Sequence, residues 1–258
     1  MKRFFVAAAA ACVLAAPGAL AANMRKLPKA VSDSSGGGQA LAADTSLIDI
    51  PTAGTLDYYG LLNKTRFFSG GNLLDEVSFG VLPQLNLGVS AVLENFIGTG
   101  TSVRLERPAI QAKYRFYDGS ALFPALAVGY DGQGYYYDRS TDKFLEKERG
   151  LYLAGTKSVF SKWFQLHPGV NLSDFQSNSI YLSLAASFTV EDTFALMGEW
   201  DNIQRFDQSR INAGARFYVS PFFQIDFALR DIGKNAQLAD GSVQRLERVV
   251  QLRYVTSF

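Results

Sequence analysis

From about residue 57 onward, apolar side chains recur at every second position, in runs of roughly ten residues separated by turn-forming residues. The runs fall at 57–68, 73–82, 85–96, 107–117, 122–134, 149–160, 163–174, 179–190, 194–203, 210–220, 222–232 and 245–258. Successive side chains of a strand point to opposite faces, so each run has one apolar and one polar face. In 222–232, Phe223, Ile225, Phe227 and Leu229 alternate with Gln224, Asp226, Ala228 and Arg230. In 163–174, Phe164, Leu166, Pro168, Val170 and Leu172 alternate with Gln165, His167, Gly169, Asn171 and Ser173. Twelve strands are predicted, most long enough to cross a bilayer at the usual barrel tilt. The connections alternate in length. Those at 83–84, 118–121, 161–162, 191–193 and 220–221 are tight, whereas those at 97–106, 135–148, 204–209 and 233–244 are longer. Short turns on one side and long loops on the other are the pattern of transmembrane barrels, and an even count puts both ends on the short-turn side.

The last run places Val250, Leu252, Tyr254, Thr256 and Phe258 on one face and Glu247, Val249, Gln251, Arg253 and Val255 on the other. It resembles the closing strand of a bacterial outer membrane barrel, with Tyr254 and Phe258 as the signal that barrel-assembly machinery reads. Tyr58, Tyr59, Phe67, Phe68, Trp163, Phe164, Trp200, Phe222, Phe223 and Phe258 stand near strand ends like aromatic girdles. A soluble sandwich would also alternate, but its apolar faces would meet in a shared core. The expected fold class is all-β: a single antiparallel transmembrane β-barrel of about 12 strands, outer-membrane type, spanning 46–258. An arginine at Leu252 would then face lipid and cost roughly 2–4 kcal/mol near the midplane. An arginine at Gln251 is expected to face the lumen and cost little.

Composition adds an export route. Met1-Lys2-Arg3, an apolar stretch and Ala19-Leu20-Ala21 read as a secretory signal over 1–21. Cys12 is removed with it, so no disulfide is expected in the product. Residues 22–45 are polar and small, with a Ser-Gly run at 34–38, and read as a flexible tail or as a plug of the barrel. The chain carries 25 Lys plus Arg against 24 Asp plus Glu, and removing Lys2 and Arg3 leaves 23 against 24. That balance gives no reason to expect a nucleic acid partner. With no apolar run of about 18 residues after the signal, a closed barrel is the remaining way to satisfy every backbone polar group in lipid. The expected location is the outer membrane, with its lipid and the assembly machinery as partners.

Before the first strand, Pro51 and Gly54 break any regular element. The words Leu47-Ile48-Asp49-Ile50-Pro51-Thr52-Ala53 resemble a motif of the YjbH-like outer membrane proteins. Residues 124–131 and 150–157 resemble a strand pair of the same family. The resemblance implies an association with exopolysaccharide production, in a chain much shorter than that family's usual members.

The polar strand faces supply the candidate chemistry. Lys113, Arg115, Asp131, Lys157, His167, Glu199, Asp201, Arg216, Asp226, Arg230 and Arg253 are expected to line the lumen, with neither sign of charge dominant. Such a wall suits either a polar channel for small solutes or a salt-bridged filling. Glu199 and Asp201 have the spacing of an acid/base pair acting on a glycan, but Arg210 and Arg216 offer both carboxylates ordinary partners. His167 raises the question of a lipase, since outer membrane phospholipases are twelve-stranded barrels too. Their nucleophile stands two residues after the histidine, where this chain has Gly169. No catalytic residue, metal site or cofactor is assigned. Tyr135, Tyr136 and Tyr137 open the longest internal loop and could contact a glycan through their ring faces, or form an interfacial girdle. The expected function is a passive small-solute pore or structural envelope component. An exopolysaccharide-associated barrel and a membrane-embedded hydrolase are the alternatives.

Overall fold

The computed structural model describes residues 44–98, 102–160, 163–173, 180–204, 209–233 and 246–256. The expected signal, most of the expected tail and Phe258 lie outside the described residues. Fifteen strands are present among those described: β1 (Leu61–Phe68), β2 (Asn72–Leu82), β3 (Leu85–Glu94), β4 (Arg104–Leu105), β5 (Ala109–Tyr117), β6 (Ala125–Asp131), β7 (Tyr135–Asp138), β8 (Lys143–Glu146), β9 (Gly150–Ser158), β10 (Phe164–Leu172), β11 (Ile180–Val190), β12 (Phe194–Asp201), β13 (Arg210–Tyr218), β14 (Phe223–Arg230) and β15 (Glu247–Thr256). Twelve of them form a closed antiparallel barrel in which each strand pairs with its sequence neighbours in the wall. β15 closes onto β1 with Thr65 opposite Leu252. The extra strands are the two-residue β4, attached to the long-loop end of β3, and the β7–β8 hairpin, a separate two-stranded sheet between β6 and β9. The fold is therefore the expected outer-membrane-type transmembrane barrel.

Closure is what an apolar solvent demands, because a free sheet edge in lipid would leave a row of unpaired N–H and C=O groups. The outward face carries the apolar alternates. Leu87, Val89, Ile110, Leu182, Leu184, Leu196, Phe227 and Val250 are all exposed, and a contiguous apolar surface of that kind needs lipid to cover it. Inward alternates are polar and buried: Arg66, Arg216, Arg230 and Arg253 are each at most 2% exposed.

Several expectations change. Lys157 does not line the lumen. It stands opposite Leu166 on the outward face of β9, and its ammonium reaches the carbonyls of Ser120 and Ala121 in the neighbouring turn. The long stem lies along the barrel while the charge is carried to the short-turn rim. Phe68 is not a girdle residue, because β1 alternation turns it inward, where it is 6% exposed. Trp163 lines the lumen at the short-turn end. The hairpin β7–β8 also lies in what reads in the sequence as a long loop.

A further change concerns cost. Gln251 faces the lumen as expected, but it is 1% exposed, accepting from Arg66 Nε at 2.9 Å and donating to Asp226 Oδ2 at 2.8 Å. A lumen position is cheap to charge only if water reaches it. We therefore expect both Leu252→Arg and Gln251→Arg to lower the folded fraction, the first by about 2–4 kcal/mol through lipid exposure. In the second, a further guanidinium would crowd Arg66 and Arg253. Cold SDS gels of the heat-modifiable barrel measure both. Wild-type folding of Gln251→Arg would mean that the lumen is wet at that depth.

Candidate functional site

The lumen is occupied by the chain itself. Residues 44–56 turn back inside the barrel, with Leu47 N–H donating to the Ile50 carbonyl and Thr52 N–H to the Thr45 carbonyl. A bridge between Ser46 and Pro51 narrows the turn and leaves Asp49 near its tip. Leu47, Ile48, Ile50, Ala53 and Leu56 are all buried. Leu47, Ile48 and Ile50 pack with inward-facing Val92, Ala185, Met197, Ala228 and Val249 of the wall.

An irregular peptide buried this way needs partners for its backbone groups, and side chains of the wall supply them. The carboxylate of Glu199 accepts from the N–H groups of Ile48, Asp49 and Ile50 at 2.8–2.9 Å, and from Asn212 Nδ2 at 2.9 Å. Thr156 Oγ1 accepts from Ala53 N–H at 2.9 Å and Asn86 Oδ1 from Leu56 N–H at 3.1 Å. Arg216 donates to the carbonyls of Ser46 and Leu47, Arg253 to that of Ser46, Arg66 to that of Ile48, and Lys113 to those of Thr45 and Gly54. Asp49 is clasped between Arg66 at 2.7 Å and Arg230 at 2.6 Å, and Asp44 pairs with Arg216 at 2.5 Å.

The β7–β8 hairpin covers this arrangement from the long-loop side. Glu146 pairs with Arg230 and Arg210, and Arg230 also pairs with Glu247. Tyr136 donates to Glu247 Oε1 at 2.6 Å, while the Tyr135 hydroxyl meets Arg66 and its ring lies under the Arg230 guanidinium at 4.4 Å. Strict alternation would put these two tyrosines on opposite faces. A left-handed backbone at Tyr136, with φ of 57°, lets both reach inward. Phe68 packs edge-on against both rings. Tyr137 is separate, donating to Asp142 within the hairpin turn.

Two cavities flank the segment. The larger, about 540 Å3, lies toward the long-loop end and is lined by Lys64, Glu76, Lys113, Asp131, Tyr135, Arg149 and Asp201 among others. The smaller, about 320 Å3, lies toward the short turns and is lined by Arg115, Thr156, Gln165, His167 and Tyr218. Asp44 and Thr52–Gly54 form part of its wall, whereas Thr45, Ser46, Ile48, Asp49 and Pro51 face the larger one. The segment is the partition between them.

The sequence-predicted residues are therefore distributed along the lumen on both sides of the partition. Lys113, Arg115, Asp131, His167, Glu199, Asp201, Arg216, Asp226, Arg230 and Arg253 face it, and Lys157 does not. Glu199 and Asp201 do not share substrate-facing space: Glu199 is capped by the segment and Asn212, and Asp201 pairs with Arg149 at 2.8 Å. The partners expected for them, Arg210 and Arg216, bind Glu146 and Asp226 instead. His167 is 1% exposed and hydrogen-bonded to Thr156 Oγ1 at 3.0 Å and Ser187 Oγ at 3.1 Å, so its ring is engaged inside the wall. The lumen segment itself is the element that sequence reasoning missed. Its signal was four apolar residues, Leu47, Ile48, Ile50 and Leu56, in a stretch with no strand to face lipid from.

Solved structures with the same architecture exist. The fold is similar to that of the KdgM porin. That match has a TM-score of 0.53 at 10% identity and covers 77% of this chain and 99% of that one. The NanC porin superposes with a TM-score of 0.45 at 7% identity, covering 77% and 99%. At 10% identity the likeness to the KdgM porin is one of fold. The chain matches no family model, and no curated protein is similar to it in sequence.

Outside the barrel wall, Glu106 offers a pH handle on the hairpin. It is 3% exposed and accepts a long hydrogen bond from Tyr137 N–H at 3.4 Å. Burial, with the neighbouring Glu94 carboxylate adding to it, pushes its carboxyl up to about 7. A raised carboxyl binds its proton more tightly in the folded state, so its contribution to stability is present below the unfolded value and is lost as pH rises through about 7. Amide exchange of the hairpin, corrected for intrinsic rates, should show stronger protection at pH 5 than at pH 8. Glu106→Gln should remove that difference, and a difference that survives the substitution would place its origin elsewhere.

Proposed function

We propose that this protein is an outer membrane channel for small polar solutes, held shut at rest by its own residues 44–56. The observation that carries this reading is the partition: one short, irregular segment separates two polar-walled cavities in a barrel that is otherwise continuous. A structural barrel with no transport role would have no need of space on both sides. Among the described residues the segment runs into the wall through residues 57–60 at the short-turn end of β1, so it can swing out toward that side without breaking any strand pairing. Its grip combines the apolar packing of Leu47, Ile48 and Ile50 against the wall with hydrogen bonds and ion pairs that water can replace one by one, which suits a reversible closure better than a wholly apolar plug would.

The YjbH-like resemblance rests on residues 47–53, which lie in this same segment, and on the strand pair at 124–131 and 150–157. A barrel linked to exopolysaccharide is the alternative reading, and loss of extracellular polymer in a deletion strain would favour it.

Planar-bilayer recording tests the proposal. The full chain should be closed for most of the record. Deletion of 44–55 should give a steady open level. Glu199→Ala removes the acceptor of three segment N–H groups, each costing about 1–3 kcal/mol when left unsatisfied. It should raise the open-to-closed ratio by about tenfold or more. Absence of conductance from the deletion variant, with the barrel still heat-modifiable, would overturn the channel reading and leave a closed envelope barrel.

A further inference from the structure

Among the described residues, the outward face of the barrel has one polar break away from its rims. By alternation, the outward positions of the twelve barrel strands are aliphatic, aromatic, glycine or proline, with few exceptions among the described residues. Lys157 and Thr256 stand at the short-turn rim and Arg248 at the long-loop end of β15. The remaining three, Asn63, Thr65 and Asp75, are adjacent on β1 and β2. Asn63 Nδ2 donates to Asp75 Oδ1 at 3.1 Å and Thr65 Oγ1 to the same oxygen at 2.7 Å. Asp75 Oδ2 has no partner among the described residues, nor has the Arg248 guanidinium. Asp75 is the fourth residue of an eleven-residue strand, with Leu73 above it and Val77 and Phe79 below it on the same face, so it is set within the apolar band. An ionisable side chain facing lipid is costly and needs a compensating partner.

We infer that the β15–β1–β2 face is the contact surface of a symmetric dimer of this barrel. Two copies in one membrane share an orientation, so their two-fold axis runs along the membrane normal. With that axis passing beside β1, the β2 of each copy lies opposite the β15 of the other. Asp75 then faces the other copy's Arg248, twice over, and Thr65 meets its counterpart on the axis. The heights agree. Arg248 is the second residue of β15 from the long-loop end and Asp75 the fourth of β2 from the same end. The offset is roughly 7 Å along the strand, within the reach of an arginine side chain. The pairing supplies a cation for Oδ2 and removes both charges from lipid, and Asn63 and Thr65 hold the carboxylate in place for it.

Cross-linking in native membranes decides the matter. In a Cys12→Ser background, oxidation of Thr65→Cys should give a disulfide-linked species of twice the barrel mass, while Leu184→Cys on another part of the wall should not. Asp75→Arg or Arg248→Asp, each added to Thr65→Cys, should abolish that species, and the two reversals together should restore it. Heat-modifiability on cold gels confirms that each variant is folded. A Thr65→Cys barrel that stays monomeric, that links to a protein of different mass, or whose dimer is indifferent to the reversals would overturn the inference.

Discussion

The structure depends on one constraint, that no backbone N–H or C=O can be left without a partner where water is excluded. The wall meets it by closing β15 onto β1, which removes both sheet edges. The interior meets it differently. Residues 44–56 have no strand to pair with, so their amides and carbonyls are taken up by side chains of the wall: Glu199 for three N–H groups, and Arg66, Lys113, Arg216 and Arg253 for the carbonyls. The polar face of each strand is thus a set of partners for a buried peptide as much as a lining for water.

This accounts for the buried arginines. Burying a guanidinium is expensive unless its donors are used, and replacing a buried ion pair by apolar residues is often neutral or stabilising. Here each arginine binds both a carboxylate of the wall or segment and, in three of the four, a segment carbonyl. Arg216 is shared between Asp226, Asp44 and the carbonyls of Ser46 and Leu47, and Arg66 between Asp49 and the carbonyl of Ile48. Arginine suits such sites because its planar fork directs several donors at once and stays charged when buried. What the network specifies is the place of the segment, and apolar residues could not specify it so narrowly.

The same side chains connect the two ends of the molecule. Arg230 touches Asp49 in the segment, Glu146 and the Tyr135 ring in the β7–β8 hairpin, and Glu247 at the start of the closing strand. A movement of the segment therefore alters the charge balance that holds the hairpin, and the reverse holds too. The lipid face has no comparable coupling. Its apolar alternates are interchangeable to the bilayer, and for that reason the three polar side chains on β1 and β2 stand out from it.

The barrel was legible in the sequence because its rule is local. Period-two alternation, strand length and the inequality of loops each depend on residues close together in the chain, and the inward and outward faces of β14 and β15 came out as read. The lumen was legible only as a list. Alternation says that Glu199, Arg216, Arg230 and Arg253 point inward, but not which carboxylate meets which guanidinium, since partners such as Arg66 and Asp49 or Arg230 and Glu146 lie on separate elements. Lys157 was misplaced because its charge suggested the lumen while its register, opposite Leu166, put it outside. Sequence alone determined, Lys157 apart, which face of the strands meets lipid, because the solvent there acts on one residue at a time. That residues 44–56 fill the lumen, and that the hairpin folds over them, was decided by tertiary structure, because it requires donors and acceptors from most of the wall to converge on one peptide.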